Sequence, residues 1–159
     1  MSINIDLSKL GYSFTKKPLI VGGMAMDYYG LRKTGKDIDL IVTRKDCIQL
    51  AKKYPKKLKD LGGDFGVAVH GFEIWKTIRY FDYDFWTKDA IEKKTFLMMS
   101  LDRLLFLKVL AMEESKYLRD LKLISRLFNS KQSEEYKRIK KENERIVGEI
   151  GEVNYIERK

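Results

Sequence analysis

Hydrophobic and polar positions alternate along this chain with two different periods, and the change of period organises it. The run Pro18, Leu19, Ile20, Val21, Gly22, Gly23 predicts a short buried strand ending in a glycine turn. Met24 to Leu31 suits a short helix, and Arg32 to Lys36 reads as a polar connection. From Ile38 to Thr43, Ile38, Leu40 and Val42 alternate with Asp39, Ile41 and Thr43, the period of a strand. Residues 45–59 resemble a basic helix with Ile48, Ala51 and Leu58 facing inward. Leu61-Gly62-Gly63-Asp64 then reads as a turn. Strands are expected over Phe65–His70, Phe72–Trp75 and Ile78–Trp86, with Lys76-Thr77 as a tight reversal.

Beyond residue 98 the period lengthens to that of a helix. Leu101, Leu104, Leu105 and Met112 make the apolar stripe of a helix over Ser100–Met112. A second helix is expected over Ser115–Phe128, with Leu118, Leu121, Ile124, Leu127 and Phe128 inward. A third, mostly polar helix is expected to be capped by Ser133, with Glu134 four residues before Arg138, and the tail after Gly148 to fray. The fold class is therefore α/β: a mixed, mostly antiparallel sheet of about 4–6 strands flanked by helices, with further C-terminal helices. Two regions are expected, a core over 1–98 and a C-terminal helical region over 99–159 packed on it. No internal repeat or linker interrupts them.

The chain has 159 residues, of which 44% are hydrophobic and 35% charged, enough to bury a core and remain well solvated. No apolar run approaches the roughly 18 residues that cross a bilayer. Met1 to Leu10 contains Asp6 and lacks the layout of a signal peptide, and the single Cys47 forms no internal disulfide. A cytoplasmic protein without a membrane partner is expected, with Cys47 acting as a small apolar residue on a helix. The formal net charge is +9, densest from Arg44 to Lys59. That excess suits a polyanionic partner, a nucleic acid or a nucleoside triphosphate, and equally suits a lysine-rich solvated face.

The segment Leu19 to Val42 carries the candidate chemistry. Gly22-Gly23 lies between a strand and a helix, where a bare backbone lets a phosphate approach free N–H groups. Asp37 and Asp39 lie two apart on a predicted strand, so both carboxylates leave one face and repel unless a cation sits between them. Oxygen ligands of this kind suit Mg²⁺ or Mn²⁺. Arg32, Lys33 and Lys36 lie just upstream, placed to offset triphosphate charge. Each feature alone is common, and their order is what is specific.

In that order the segment resembles the DNA polymerase beta-like nucleotidyltransferase superfamily, and within it the small prokaryotic enzymes that include the AbiEii-type and MenT-type toxins. Gly22-Gly23 matches the family's glycine turn, and Asp37-Ile38-Asp39-Leu40 its acidic strand motif. Arg32-Lys33-Thr34-Gly35-Lys36 is similar to the lead-in of AbiEii-like members. The resemblance spans roughly Pro18 to Phe128 and is specific mainly in its first part. Many members carry serine after the first glycine; here Gly23 is followed by Met24, which leaves phosphate contact to backbone amides.

The resemblance implies the nucleotidyltransferase fold and transfer of a nucleoside monophosphate from a nucleoside triphosphate to an acceptor hydroxyl, with Mg²⁺ or Mn²⁺ as cofactor. It implies a third carboxylate on a later strand. Within Ile78–Trp86, Asp82 and Asp84 share a face, and Tyr83-Asp84-Phe85-Trp86 is the closer match, so Asp84 is expected to join Asp37 and Asp39 as metal ligand and catalytic residue, helping to deprotonate or orient the acceptor. Nucleotide-binding roles fall to Gly22, Gly23, Arg32, Lys36 and Lys108. Lys108 sits on an apolar helix stripe, where a lysine head must reach water or an anion. Asp120, in Arg119-Asp120-Leu121, is expected to order neighbouring basic residues. Likeness to the MenT-type enzymes implies the 3′ end of a transfer RNA as acceptor, and a toxin would have an antitoxin partner.

Blander readings stand beside these. Asp82 and Asp84 fit ordinary solvent-facing strand positions, Lys108 a snorkelling side chain, and His70 a structural residue, since no second histidine completes a zinc site. The aromatic cluster around Trp75 and Trp86 fits sheet packing, with one face free to stack a base. Two alternative functions remain: a catalytically degenerate nucleotide- or RNA-binding protein of the same fold, and a basic adaptor using the Arg44–Lys59 face.

Overall fold

The structure, a computed structural model, describes residues 3–151, with the side chains of residues 131–133 also outside the described set. After a 3₁₀ turn at Leu7–Leu10 come β1 (Leu19–Ile20), α1 (Gly22–Tyr28), β2 (Ile38–Ile41), α2 (Arg44–Lys53), β3 (Leu58–Leu61), β4 (Asp64–Val69) and β5 (Phe72–Trp75). Then follow β6 (Thr77–Ile78), β7 (Phe81–Asp82), α3 (Tyr83–Trp86), β8 (Ile91–Glu92), β9 (Leu97–Met98), α4 (Leu101–Leu110) and α5 (Ser115–Ile150). The chain divides into two compact units, Met1–Leu121 and Lys122–Lys159.

The first unit is α/β. Its sheet has seven strands in the order β3-β4-β5-β2-β1-β9-β8, beside a two-stranded β6-β7 ribbon. The pairs β1–β2, β3–β4, β4–β5 and β8–β9 are antiparallel, while β1–β9 and β2–β5 are parallel. The central strands bury Leu19, Ile20, Leu40, Ile41 and Ile74 completely, the near-continuous apolar character expected of strands covered on both faces. Two hairpins close through two-residue turns with positive φ at both positions, Gly62-Gly63 and His70-Gly71, the conformation whose twist matches the strands it joins. The predicted Gly62-Gly63 turn is thus in place. The sheet exceeds the expected strand number because β8 and β9 are only two residues long, too short to show a period.

The expected helix over 45–59 is corrected by a proline. α2 stops at Lys53, and residues 58–61 form β3, an exposed edge strand. Pro55 lacks the N–H that a continuing helix would use and pushes Tyr54 out of helical geometry, to φ −122 and ψ 60. Asp46 in the first turn of α2 is buried and anchors the N-terminal segment. It accepts hydrogen bonds from Tyr12 Oη (2.8 Å), Thr15 N (3.0 Å), Thr15 Oγ1 (2.9 Å) and Thr43 Oγ1 (2.8 Å). Cys47 is buried, and burial pushes its thiol up to about 11, which leaves it inert.

The expected strand over Ile78–Trp86 is also corrected. β6 turns sharply at Arg79 and Tyr80, both left-handed at φ 51 and 65, a conformation that costs energy outside glycine. The buried Asp64 carboxylate holds it, accepting from Thr77 Oγ1 (2.8 Å), Arg79 N (2.7 Å) and Tyr80 N (3.0 Å). After two residues of β7, Asp82 accepts from Phe85 N (3.1 Å) and caps α3.

The described part of the second unit, residues 122–151, is helical as far as Ile150, the end of α5. No separate helix starts at Ser133, because α5 runs without a break to Ile150 and no proline or glycine interrupts it before Gly148; the Ser133 side chain lies outside the described residues. Glu134 pairs with Lys137, and Arg138 with Glu135 and Glu142, not with Glu134. Most of the tail after Gly148 falls outside the described residues. Among the described residues no helix is long and apolar enough to cross a membrane.

Candidate active site

The parallel pairing of β2 with β5 sets Asp39 directly beside Glu73. Register partners on neighbouring strands project from the same face, so the two carboxylates share one side of the sheet. Burial pushes Asp39 up to about 6, and the adjacent Glu73 charge adds to the rise, against a hydrogen bond from Trp75 and the charge of Lys108. Lys59, on β3, donates to Glu73 Oε1 at 2.6 Å, and its own pKa is raised by that bond and by the nearby Asp37 and Asp39 charges.

Two glycines shape the floor. Gly22 opens α1 at φ +60, and a Cβ there would collide with the Asp39 carboxylate, only 3.2 Å from its Cγ. Trp75 lies over Gly66, where a Cβ would stand 2.6 Å from its ring carbon Cε3. Both aspartate and indole depend on a missing side chain for their positions.

The site also holds a buried cation. Lys108 on α4 is 2% exposed, with its Nζ 2.8 Å from Asp120 Oδ2 and 4.6 Å from the centre of the Tyr117 ring. Asp120 also takes a bidentate grip from Arg32, Nε to Oδ1 at 2.7 Å and Nη2 to Oδ2 at 3.0 Å. Burial lowers the Lys108 pKa, which Asp120 only partly restores. For Asp120, burial acts upward but the hydrogen bonds from Arg32 and Lys108 outweigh it, and the carboxyl is held below its ordinary range.

These groups meet in a pocket of about 370 Å³ lined by Gly22, Asp39, Glu73, Trp75, Lys108 and Tyr117, with Leu61, Gly62, Arg79 and Tyr80 at its side. Of the residues singled out in the sequence, the pocket lining gathers Gly22, Asp39 and Lys108. Arg32 is joined to it through Asp120, and Gly23 lies behind it under the 32–35 loop. Asp37 is exposed in the bend before β2, and Lys36 is exposed beside it. Compared with models of known protein families, with curated proteins and with solved structures, the chain matches none.

Asp84 belongs elsewhere. It sits on α3 with its side chain 83% exposed, 4.0 Å from Lys16, and lines a different cavity together with Asp82. The carboxylate beside Asp39 is Glu73, which the sequence reading passed over. Its signal was present: Glu73 is the one charged residue in the apolar strand Phe72-Glu73-Ile74-Trp75, a costly position unless the side chain serves something.

Asp39 and Glu73 supply hard oxygens facing one pocket, and their mutual repulsion is what a cation would relieve. Among the described residues no group of three or more acidic, histidine or cysteine side chains comes together to hold a metal ion. A cation held by this pair alone would draw its remaining ligands from water and substrate phosphate.

Proposed function

We propose that the protein is a metal-dependent nucleotidyltransferase of the DNA polymerase beta-like kind, acting in the Asp39–Glu73–Lys108 pocket. The observation that carries this reading is the pair of carboxylates on adjacent parallel strands, one raised to about 6, sharing one pocket with a buried lysine. The resemblance of Gly22-Gly23, Arg32-to-Lys36 and Asp37-to-Leu40 to that superfamily supports it.

Asp39 and Glu73 would hold the cation. Bound there, Mg²⁺ or Mn²⁺ supplies charge neutralisation for the triphosphate and polarises its α-phosphorus. Lys108 lines the pocket and keeps two N–H donors beyond its bond to Asp120, which would offset charge gathering on the leaving pyrophosphate. Asp120 and Arg32 fix where that ammonium points. Gly22 leaves Asp39 the room to face the ligand. The acceptor oxygen bonds to the α-phosphorus as the α–β anhydride bond breaks. The hydroxyl proton would pass to a carboxylate oxygen of Asp39 that the cation leaves free. The +9 charge supports a polyanionic acceptor, with RNA the class suggested by the resemblance.

The test incubates the protein with each α-³²P-labelled nucleoside triphosphate, Mg²⁺ or Mn²⁺ and cellular RNA, beside Asp39→Asn. Label transferred by the native chain alone is expected. A second reading, a nucleotide binder without catalysis, is favoured by one feature: Glu73 is already paired with Lys59 at 2.6 Å. Metal-dependent nucleotide binding with no transfer to RNA, protein or small molecules would select it.

A further inference from the structure

A second cavity, of about 600 Å³, lies beside the first, and Tyr80 lines both. Its wall carries four cations, Lys16, Arg44, Lys45 and Lys76, against two carboxylates, Asp82 and Asp84. The acids are partly engaged: Asp82 caps α3 and Asp84 lies 4.0 Å from Lys16. Among the described residues, Arg44, Lys45 and Lys76 have no carboxylate partner. The hydroxyls in the wall are committed elsewhere, Thr15 and Thr43 to Asp46 and Thr77 to Asp64. The donors left free in this cavity are therefore cationic.

Tyr80 adds a different chemistry. Its hydroxyl donates to Gly62 O and one ring edge packs on Gly63, yet the residue is 74% exposed at the junction of the two cavities. The Asp64 carboxylate fixes its left-handed backbone, so the ring is presented rigidly. Unpaired cations beside a rigid exposed aromatic ring are the combination that binds single-stranded nucleic acid, with cations along the backbone and a base stacked on the ring.

We infer that this cavity is a groove for single-stranded nucleic acid that leads an acceptor strand past Tyr80 into the carboxylate pocket. Its role as acceptor groove rests on the transferase reading; strand binding does not, since none of its contacts requires a metal or a nucleotide.

Fluorescence anisotropy of a 5′-fluorescein single-stranded oligonucleotide of ~12 nucleotides, in EDTA, tests it on the full chain. The main variant is R44E/K45E. Both residues are exposed and lie in the first turn of α2, where acidic side chains favour the helix, so folding is preserved. We expect at least an about tenfold loss of affinity and a salt dependence shallower by roughly 1.4 in slope. Lys76→Gln and Tyr80→Ala should each cost several-fold. Lys52→Glu with Lys56→Glu, outside the cavity, should cost little. Equal losses from that pair, unchanged binding by R44E/K45E, or competition by poly-glutamate as effective as by oligonucleotide would overturn the inference. Asp39→Asn should bind the strand normally while losing transfer. Strand binding of the expected pattern without any transfer by the native chain would keep the groove and remove the transferase. Transfer to a small acceptor without strand binding would do the reverse.

Discussion

Asp39 and Glu73 stand side by side on β2 and β5, and their charge is answered unequally: Lys59 pairs with Glu73 at 2.6 Å, while Lys108, bound to Asp120, acts on Asp39 only through its charge. An arrangement of this kind lowers stability in the absence of a ligand, a common cost of a functional site. Its consequences are measurable.

Asp39 has a folded-state pKa of about 6 against an ordinary value of 3.8. Raised in the fold, the group contributes its stability below pH 4 and loses it as pH rises through 6. Asn carries no charge at any pH. Asp39→Asn should therefore raise unfolding stability at pH 7.5 by on the order of 2 kcal/mol, and the gain should vanish at pH 4. Mg²⁺ should stabilise the native chain and leave the variant unmoved. Urea unfolding at both pH values measures each effect; a variant less stable than native at pH 7.5 would sink the assignment.

The third carboxylate separates two positions sharply. Glu73→Gln should reduce nucleotide transfer about a hundredfold or more, since it removes an oxygen donor beside Asp39. Asp84→Asn, exposed on α3 in the other cavity, should leave transfer with a small acceptor within about twofold. Reversal of these two effects would restore the assignment made from sequence.

How much of this was legible beforehand depended on whether the signal was local. The β1–α1–β2 unit, the Gly62-Gly63 turn and the α4 helix showed in short-range pattern, and with them Gly22, Asp39 and Lys108. The expected reversal at Lys76-Thr77 lies instead at Arg79-Tyr80, and Met112, expected inward, is exposed beyond the end of α4. Lys108 stood out because an isolated charge on an apolar stripe demands a partner. What escaped was pairing. Nothing near Glu73 reveals that β5 lies parallel to β2, and that one fact makes it Asp39's neighbour. The strand over Ile78–Trp86 failed for a similar reason, because the turn at Arg79-Tyr80 is imposed by Asp64, some 15 residues earlier. Alternating apolar residues alone could not report it. The early end of α2 was legible, since Pro55 is local, but the helix pattern was carried past it.

The glycine pair should divide in its response. At Gly22 the backbone is left-handed and a Cβ would meet the Asp39 carboxylate; at Gly23 φ is ordinary and the nearest contact is Thr34 Oγ1 at 3.4 Å. Gly22→Ala should cost about 1–3 kcal/mol and abolish Mg²⁺-dependent stabilisation, because Asp39 must move. Gly23→Ala should be near neutral in stability. Thermal melts with and without Mg²⁺ distinguish them, and equal tolerance at both sites would show that Asp39 does not need the space.

The Lys108–Asp120–Arg32 chain should break unevenly. Asp120→Asn leaves a buried ammonium without its counter-charge, which costs about 3–5 kcal/mol where one partner of a buried pair is lost. Lys108→Met removes the buried cation and leaves Asp120 with both hydrogen bonds from Arg32, so its cost should be much smaller. The pH dependence gives a second check. Lys108's pKa is lowered in the fold, so the folded chain binds fewer protons than the unfolded one, and stability from this group rises as pH climbs toward the ordinary lysine value of 10.5. Without Asp120 the depression deepens, and the deficit of Asp120→Asn should shrink from pH 7 to pH 10 as Lys108 loses its proton. Urea midpoints across that range would show it. A Lys108→Met variant as damaged as Asp120→Asn, with no change in the gap at alkaline pH, would mean that the lysine is held by packing and not by the aspartate.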